Sequence, residues 1–184
     1  MNDPIAIWHA EHARFGRLLA VLEKQMAVFR EGGEPNYGLM SEIIHYLRHY
    51  PDRYHHPREE VAFARLLKRD PTLYALIRRL SQEHRVIAVA GAQLLALLES
   101  VVNGAIVSRE SVEAAAATYL DYYRRHLVAE ERDILPSARV LLDTQDWEAV
   151  RQAVPPQQDE TPGGHEVFAA RYKALQNEIS LTAA

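Results

Sequence analysis

One motif occurs twice and restricts the fold severely. His55-His56-Pro57-Arg58-Glu59-Glu60 and His126-Leu127-Val128-Ala129-Glu130-Glu131 both read H-x-x-x-E-E. An acidic–histidine pair precedes each, Glu11-His12 before the first and Glu83-His84 before the second. A histidine and a carboxylate four residues apart share one face of a helix, because a turn takes 3.6 residues. Each pair needs a partner helix to supply its further histidine. The chain must therefore bring four helical faces to a common axis, where four imidazoles and two carboxylates meet. That donor set suits a pair of transition-metal ions, iron foremost, with Mn or Zn as substitutes.

Periodicity agrees with four helices. Asp3 caps the first and Pro4 opens it. Its apolar stripe is Ile5, Trp8, His12, Phe15, Leu19, Leu22 and Met26, with a histidine in a core position. Gly32-Gly33-Glu34-Pro35 ends it. A second helix spans 37–68 and carries Pro51 and Pro57, each of which removes a backbone donor. Asp70-Pro71 repeats the capped start, and the third stripe is Leu73, Ile77, Leu80, His84, Ile87, Gly91, Leu94 and Leu98. Asn103-Gly104 is a turn, Ser108 a cap, and the fourth stripe is Ala116, Tyr119, Tyr123, His126, Glu130 and Ile134.

Short Gly/Pro-containing loops between long helices predict an all-α, up-down-up-down four-helix bundle over 1–142. His12 to His84 is 72 residues, and His55 to His126 and Glu59 to Glu130 are 71 each, so the halves read as two copies of a helix hairpin. Residues 143–184 form a C-terminal extension. It has a short helix over 146–154, a Pro/Gly-rich linker over 155–164 and a final amphipathic helix over 165–180. That last helix is expected to pack on the bundle or on a second subunit, as in a homodimer.

Composition narrows the chemistry. The 184 residues contain no cysteine, which excludes disulfides, thiolate zinc and iron–sulfur clusters and leaves only N and O ligands. Net charge is −4, without a Lys/Arg cluster, so nucleic acid is not an expected partner. The apolar stretch 86–102 is broken by Gln93 and Glu99 and reads as a buried helix, not a membrane span. No basic-then-apolar leader opens the chain, and the cytoplasm is the expected compartment.

The candidate ligands are His12, His55, Glu59, His84, His126 and Glu130. Any one alone has a bland reading. A single core histidine is usually just hydrogen-bonded, and an i,i+4 His/Glu pair is usually a solvated surface pair. The doublet His55-His56 leaves the helix-two pair open. On a continuous helix His55 and Glu59 share the apolar face, whereas His56 falls with His45, His49 and Glu60. Pro51 and Pro57 can shift that phase, so His56 with Glu60 is the alternative to His55 with Glu59. Tyr119 and Tyr123 lie on the His126 face. They either pack as aromatics or hydrogen-bond a bridging oxygen or carboxylate. His9, His45, His49 and His165 are set aside as surface groups.

On these residues the chain resembles the hemerythrin-like HHE cation-binding family. The resemblance covers about Pro4 to Pro136 and rests on Glu11-His12, His55-x-x-x-Glu59-Glu60, Glu83-His84 and His126-x-x-x-Glu130-Glu131 followed by Ile134-Leu135-Pro136. It implies a bundle holding a non-haem di-iron centre with an oxo or hydroxo bridge. It also implies an oxygen carrier, a sensor of O2, NO, iron or redox state, or a protein of nitrosative-stress response and iron-centre repair. Oxygen-carrying hemerythrins have a further histidine four residues after that of helix three, where this chain has Ala88; the matching helix-one position is Gly16. These small residues leave room for water, O2 or NO beside a metal. Hemerythrins proper carry a carboxylate five residues after the last-helix histidine, which makes Glu131 the alternate to Glu130. The expected function is binding or sensing a small gas. The alternative is a di-iron enzyme acting on peroxide or NO.

Overall fold

The computed structural model describes residues 3–153 and 164–182, and every regular element among them is helical. The helices are α1 (Pro4–Arg30), α2 (Tyr37–Tyr50), α3 (His56–Arg69), α4 (Tyr74–Val102), α5 (Arg109–Ala129), α6 (Leu135–Leu141), α7 (Thr144–Gln152) and α8 (Gly164–Thr182). A π-helical turn, Pro51–His55, joins α2 to α3, and a second, Glu130–Ile134, joins α5 to α6. The expected second helix is thus one helical path through both prolines, widened where Pro51 leaves a gap in the backbone ladder. Pro57 sits in the first turn of α3, directly after the π-helical turn, so its missing amide falls where the regular ladder is already interrupted.

Local chemistry sets the boundaries. The Asp3 carboxylate accepts from the Ile5 amide, the Asn36 side chain from Leu39, and the Asp70 carboxylate from Thr72. Gly32 and Gly104 take φ of 81° and 78°, a region closed to most side chains, and so stop α1 and α4. Asp143 and Asp146 form a reciprocal capping box at α7. The stretch 155–163, read as a linker, lies outside the described residues, as does the His165 side chain. The final helix starts at Gly164 and packs on α2 of the same chain, Phe168 and Tyr172 meeting the stacked rings of Tyr46 and Tyr50.

The helices pack around two apolar layers, the first lined mainly by α1, α2, α4 and α5 and the second by α1, α3, α4 and α6. One is built on Phe15, Leu19, Ile43, Leu47, Leu94 and Tyr119, the other on Trp8, Phe63, Leu66, Leu80, Ile134 and Leu135. The segment Pro71–Val102 is long and apolar enough to cross a bilayer. Here its apolar face, from Ile77 to Leu98, is buried in these layers. Gly91 permits the close approach of α4 to α2 and α5, because a Cβ there would lie 2.8 Å from Tyr119 Cε2 and 3.0 Å from Arg48 Cδ. Gly91→Val should destabilise the protein by about 1–3 kcal/mol through overpacking. Urea unfolding measures this, and an unchanged midpoint would show that the contact is soft.

Candidate metal centre

Between the two apolar layers lies a polar one. His12 separates Trp8 from Phe15 on α1, His84 separates Leu80 from Ile87 on α4, and His126 and Glu130 separate Tyr123 from Ile134 on the fourth stretch. His12, His55, His56, Glu59, His84, His126 and Glu130 are all buried, with His55, Glu59, His126 and Glu130 only 1% exposed. They form two groups whose donor atoms lie within 4.8 Å of one another, His12/His55/Glu59/Glu130 and His56/Glu59/His84/His126.

The two carboxylates span both groups. Glu59 Oε1 is 2.9 Å from His55 Nε2 and 3.5 Å from His12 Nε2, while its Oε2 is 3.5 Å from His84 Nε2. Glu130 Oε2 is 3.5 Å from His12 Nε2, while its Oε1 is 3.2 Å from His126 Nε2 and 3.8 Å from His84 Nε2. Each carboxylate therefore offers one oxygen to either side.

Behind the imidazoles stands a ring of carboxylates. His12 Nδ1 donates to Glu131 at 2.8 Å, His55 to Glu11 at 2.7 Å, His56 to Asp52 at 3.0 Å, His84 to Glu60 at 2.9 Å and His126 to Glu83 at 3.2 Å. An ionised carboxylate only accepts, so Nδ1 carries the proton in all five rings and Nε2 is left to face inward. Glu11 also accepts from Tyr50 Oη at 2.7 Å and from Arg58 at 2.8 and 2.9 Å, which locks His55 in place.

These positions revise several expectations. His55 and His56 are not alternatives, because the π-helical turn aims both rings inward. Glu60 and Glu131, the alternate ligands, instead orient His84 and His12 from outside; Glu131 also accepts from His9 at 2.6 Å. Tyr119 and Tyr123 hydrogen-bond neither Glu59 nor Glu130. Tyr123 Oη donates to the Leu47 carbonyl at 3.4 Å, and the Tyr119 ring fills the space over Gly91. Space is open at Gly16, where a Cβ would meet nothing within 4 Å, and Ala88 lines a surface depression with His56 and His84. The orienting roles of Glu11, Asp52 and Glu83 were missed. The repeated pairs Glu11-His12 and Glu83-His84 held the signal for two of them.

The inward atoms fit a cation. Both oxygens of Glu59 and of Glu130, with Nε2 of His84 and of His126, are buried without a hydrogen-bond partner. Such orphaned polar atoms are costly unless a ligand satisfies them. His12 Nε2 and His55 Nε2 face each other at 3.0 Å. Two donors about 2.1 Å from one ion and at right angles to each other would lie about that far apart. Residues 3–138 match the hemerythrin HHE cation-binding domain, and the chain belongs to that family. No curated protein and no solved structure matches it. A helical, metal-binding domain is thereby defined.

Without metal the cluster holds protons. Burial alone would push His84 down, but the carboxylates of Glu130, Glu59 and Glu60 outweigh it and raise the pKa to about 11. His126 is likewise depressed by burial yet raised by Glu130 and Glu83 to about 9. Burial raises Glu11, but His55 and Arg58 bring it down to about 2. The histidine contribution to stability is complete below the ordinary value of 6.5 and is lost as pH rises through about 9 and about 11. The Glu11 contribution is complete above 4.5 and is lost as pH falls toward about 2. The Tm of chelator-treated protein should therefore be highest between these limits and fall at alkaline pH; a Tm that rises from pH 7 to 10 would contradict the charge pairing.

Proposed function

We propose that the chain binds a pair of transition-metal ions, iron foremost, and uses them to bind or sense a small gas such as O2 or NO. The observation that carries this reading is the division of the Glu59 and Glu130 oxygens, all four buried without a hydrogen-bond partner, between two sets of inward imidazole nitrogens. In this reading the four long helical stretches form an up-down-up-down bundle, and sequential packing of α1 on α2 and of α4 on α5 supports it.

The bound pair supplies a redox couple and coordination positions that exchange with small ligands. The chain's residues do the rest. His12, His55, His84 and His126 hold Nε2 inward because their Nδ1 protons are fixed on carboxylates. Glu59 and Glu130 offset cationic charge in the low-dielectric interior. Phe15 meets the His55 ring edge-on at 5.1 Å, and Phe63 lies over His84 at 6.1 Å, so bulk water is kept away. At Gly16, one turn from His12, a Cβ would meet nothing within 4 Å, so the chain leaves that side of the histidine uncrowded.

Anaerobic protein loaded with ferrous ion should retain the metal through desalting, and His126→Ala should not. Free ion at about 1,000 times Kd should stabilise the wild type by about 4 kcal/mol, visible as a higher Tm that chelator reverses. Adding O2 or NO to the reduced protein should change its optical spectrum reversibly. Unchanged spectra with both gases would refute gas binding, and multiple turnovers of peroxide or NO would favour the enzymatic alternative.

A further inference from the structure

We infer that His56 is a fifth imidazole ligand, which makes the paired metal site unequal: three histidines on one side and two on the other. The inference rests on the metal-binding reading above and deepens it.

The argument starts from the internal repeat. Glu11 orients His55 as Glu83 orients His126, and Glu60 orients His84 as Glu131 orients His12. At the repeat spacing of 71–72 residues these are two pairs of equivalents, and Glu59 and Glu130 form a third. Four imidazoles, two spanning carboxylates and four outer carboxylates thus constitute a set with twofold character. His56 and Asp52 stand outside it. Their counterparts 71 residues on are Leu127 and Tyr123, which can provide neither an imidazole nor a carboxylate.

His56 is nevertheless built like the other four. Its ring is 7% exposed, and its Nδ1 donates to the Asp52 carboxylate, which turns Nε2 toward Glu59, His84 and His126. The ring stacks on His84 with centroids 4.1 Å apart and planes 20° apart, and it stands edge-on to His126 at 6.2 Å. The helix geometry explains how consecutive residues reach one centre. In a regular α-helix His55 and His56 would point about 100° apart. The π-helical turn Pro51–His55 ends between them, and the wider turn swings both rings toward the axis.

Ala88 completes the argument. It lies one turn after His84 on α4 and lines the same depression as His56 and His84. A histidine at 88 would approach that side of the centre from α4, but α4 supplies only a methyl group there, and α3 supplies the ring.

The test is anaerobic loading with ferrous ion, read as bound iron per chain after desalting, together with Mössbauer spectra and the Tm of the chelator-treated protein. Wild type should hold a pair of inequivalent ferrous sites. His56→Ala should weaken one of them by about 100-fold or more, since loss of an orienting partner alone costs about 10–100-fold. Its metal-free Tm should stay within a few degrees of wild type. His56→Ala/Ala88→His should regain the second ion. Equal loading of wild type and His56→Ala overturns the inference while the metal-binding reading stands. So does a loss that comes with a collapsed metal-free Tm and is not repaired by Ala88→His, because His56 would then serve packing against His84. A wild type that takes up no ferrous ion overturns the metal-binding reading itself.

Discussion

The burial of two carboxylates, Glu59 and Glu130, in the middle of an apolar interior sets the terms for everything around them. Transfer of an unpaired carboxylate into such a setting costs several kcal/mol even after relaxation. This interior places two side by side and leaves all four oxygens without hydrogen bonds. Like charges so close would separate unless positive charge stood between or around them. Both are held ionised well below the usual carboxylate range, against burial, by the surrounding histidines. The apolar layers above and below fix the four helices firmly enough to hold the arrangement. The polar layer in turn gives those helices a register, because a shift by one turn would put an imidazole against leucines.

The two π-helical turns belong to the same design. One ends at His55 and the other begins at Glu130, so both lie where the chain needs neighbouring residues to serve one centre. At the first, His55 and His56 both face inward. At the second, Glu130 faces inward and Glu131 reaches His12 from outside. A regular helix separates such neighbours by about 100°, and an extra residue in the turn removes the conflict. Proline takes part at the first: Pro51 has no amide proton to lose where the ladder widens, and Pro57 restarts the helix.

The helices and most of the polar layer were legible in the sequence because they follow from period and spacing. Asp3-Pro4, Asp70-Pro71, Asn103-Gly104 and Ser108 mark helix ends by local chemistry, and the structure places the ends there. The histidine in each apolar stripe was a visible conflict between polarity and position, and such conflicts tend to mark functional sites. What could not be read was phase. A choice between His55 and His56 assumes a fixed 3.6-residue turn, and the π-helical turn breaks that assumption. Phase also governs Glu60, which was paired with His56 as the alternative to Glu59, whereas Glu131 was an alternate only through the family resemblance. Tyr119 and Tyr123 shared the His126 stripe but lie two turns and one turn before it on α5, where Tyr123 Oη meets the Leu47 carbonyl and the Tyr119 hydroxyl is buried without a hydrogen-bond partner.

The outer carboxylates show why a ligand set alone understates this site. Glu11 is contributed by α1 yet serves His55 at the start of α3, and it also receives Tyr50 and Arg58. Glu83 on α4 serves His126 on α5, and Glu60 on α3 serves His84 on α4. Each imidazole is thus aimed by a side chain of a different helix, except His56, whose Asp52 lies one turn away on its own path. Orientation by a neighbouring helix makes the centre a product of tertiary packing, so metal affinity and fold stability are coupled through these contacts. Orientation within one turn means that no neighbouring helix has to aim the His56 ring, although the ring still stacks on His84 of α4. An extra ligand of this kind can be added to a symmetric pair without rebuilding the helices that carry it.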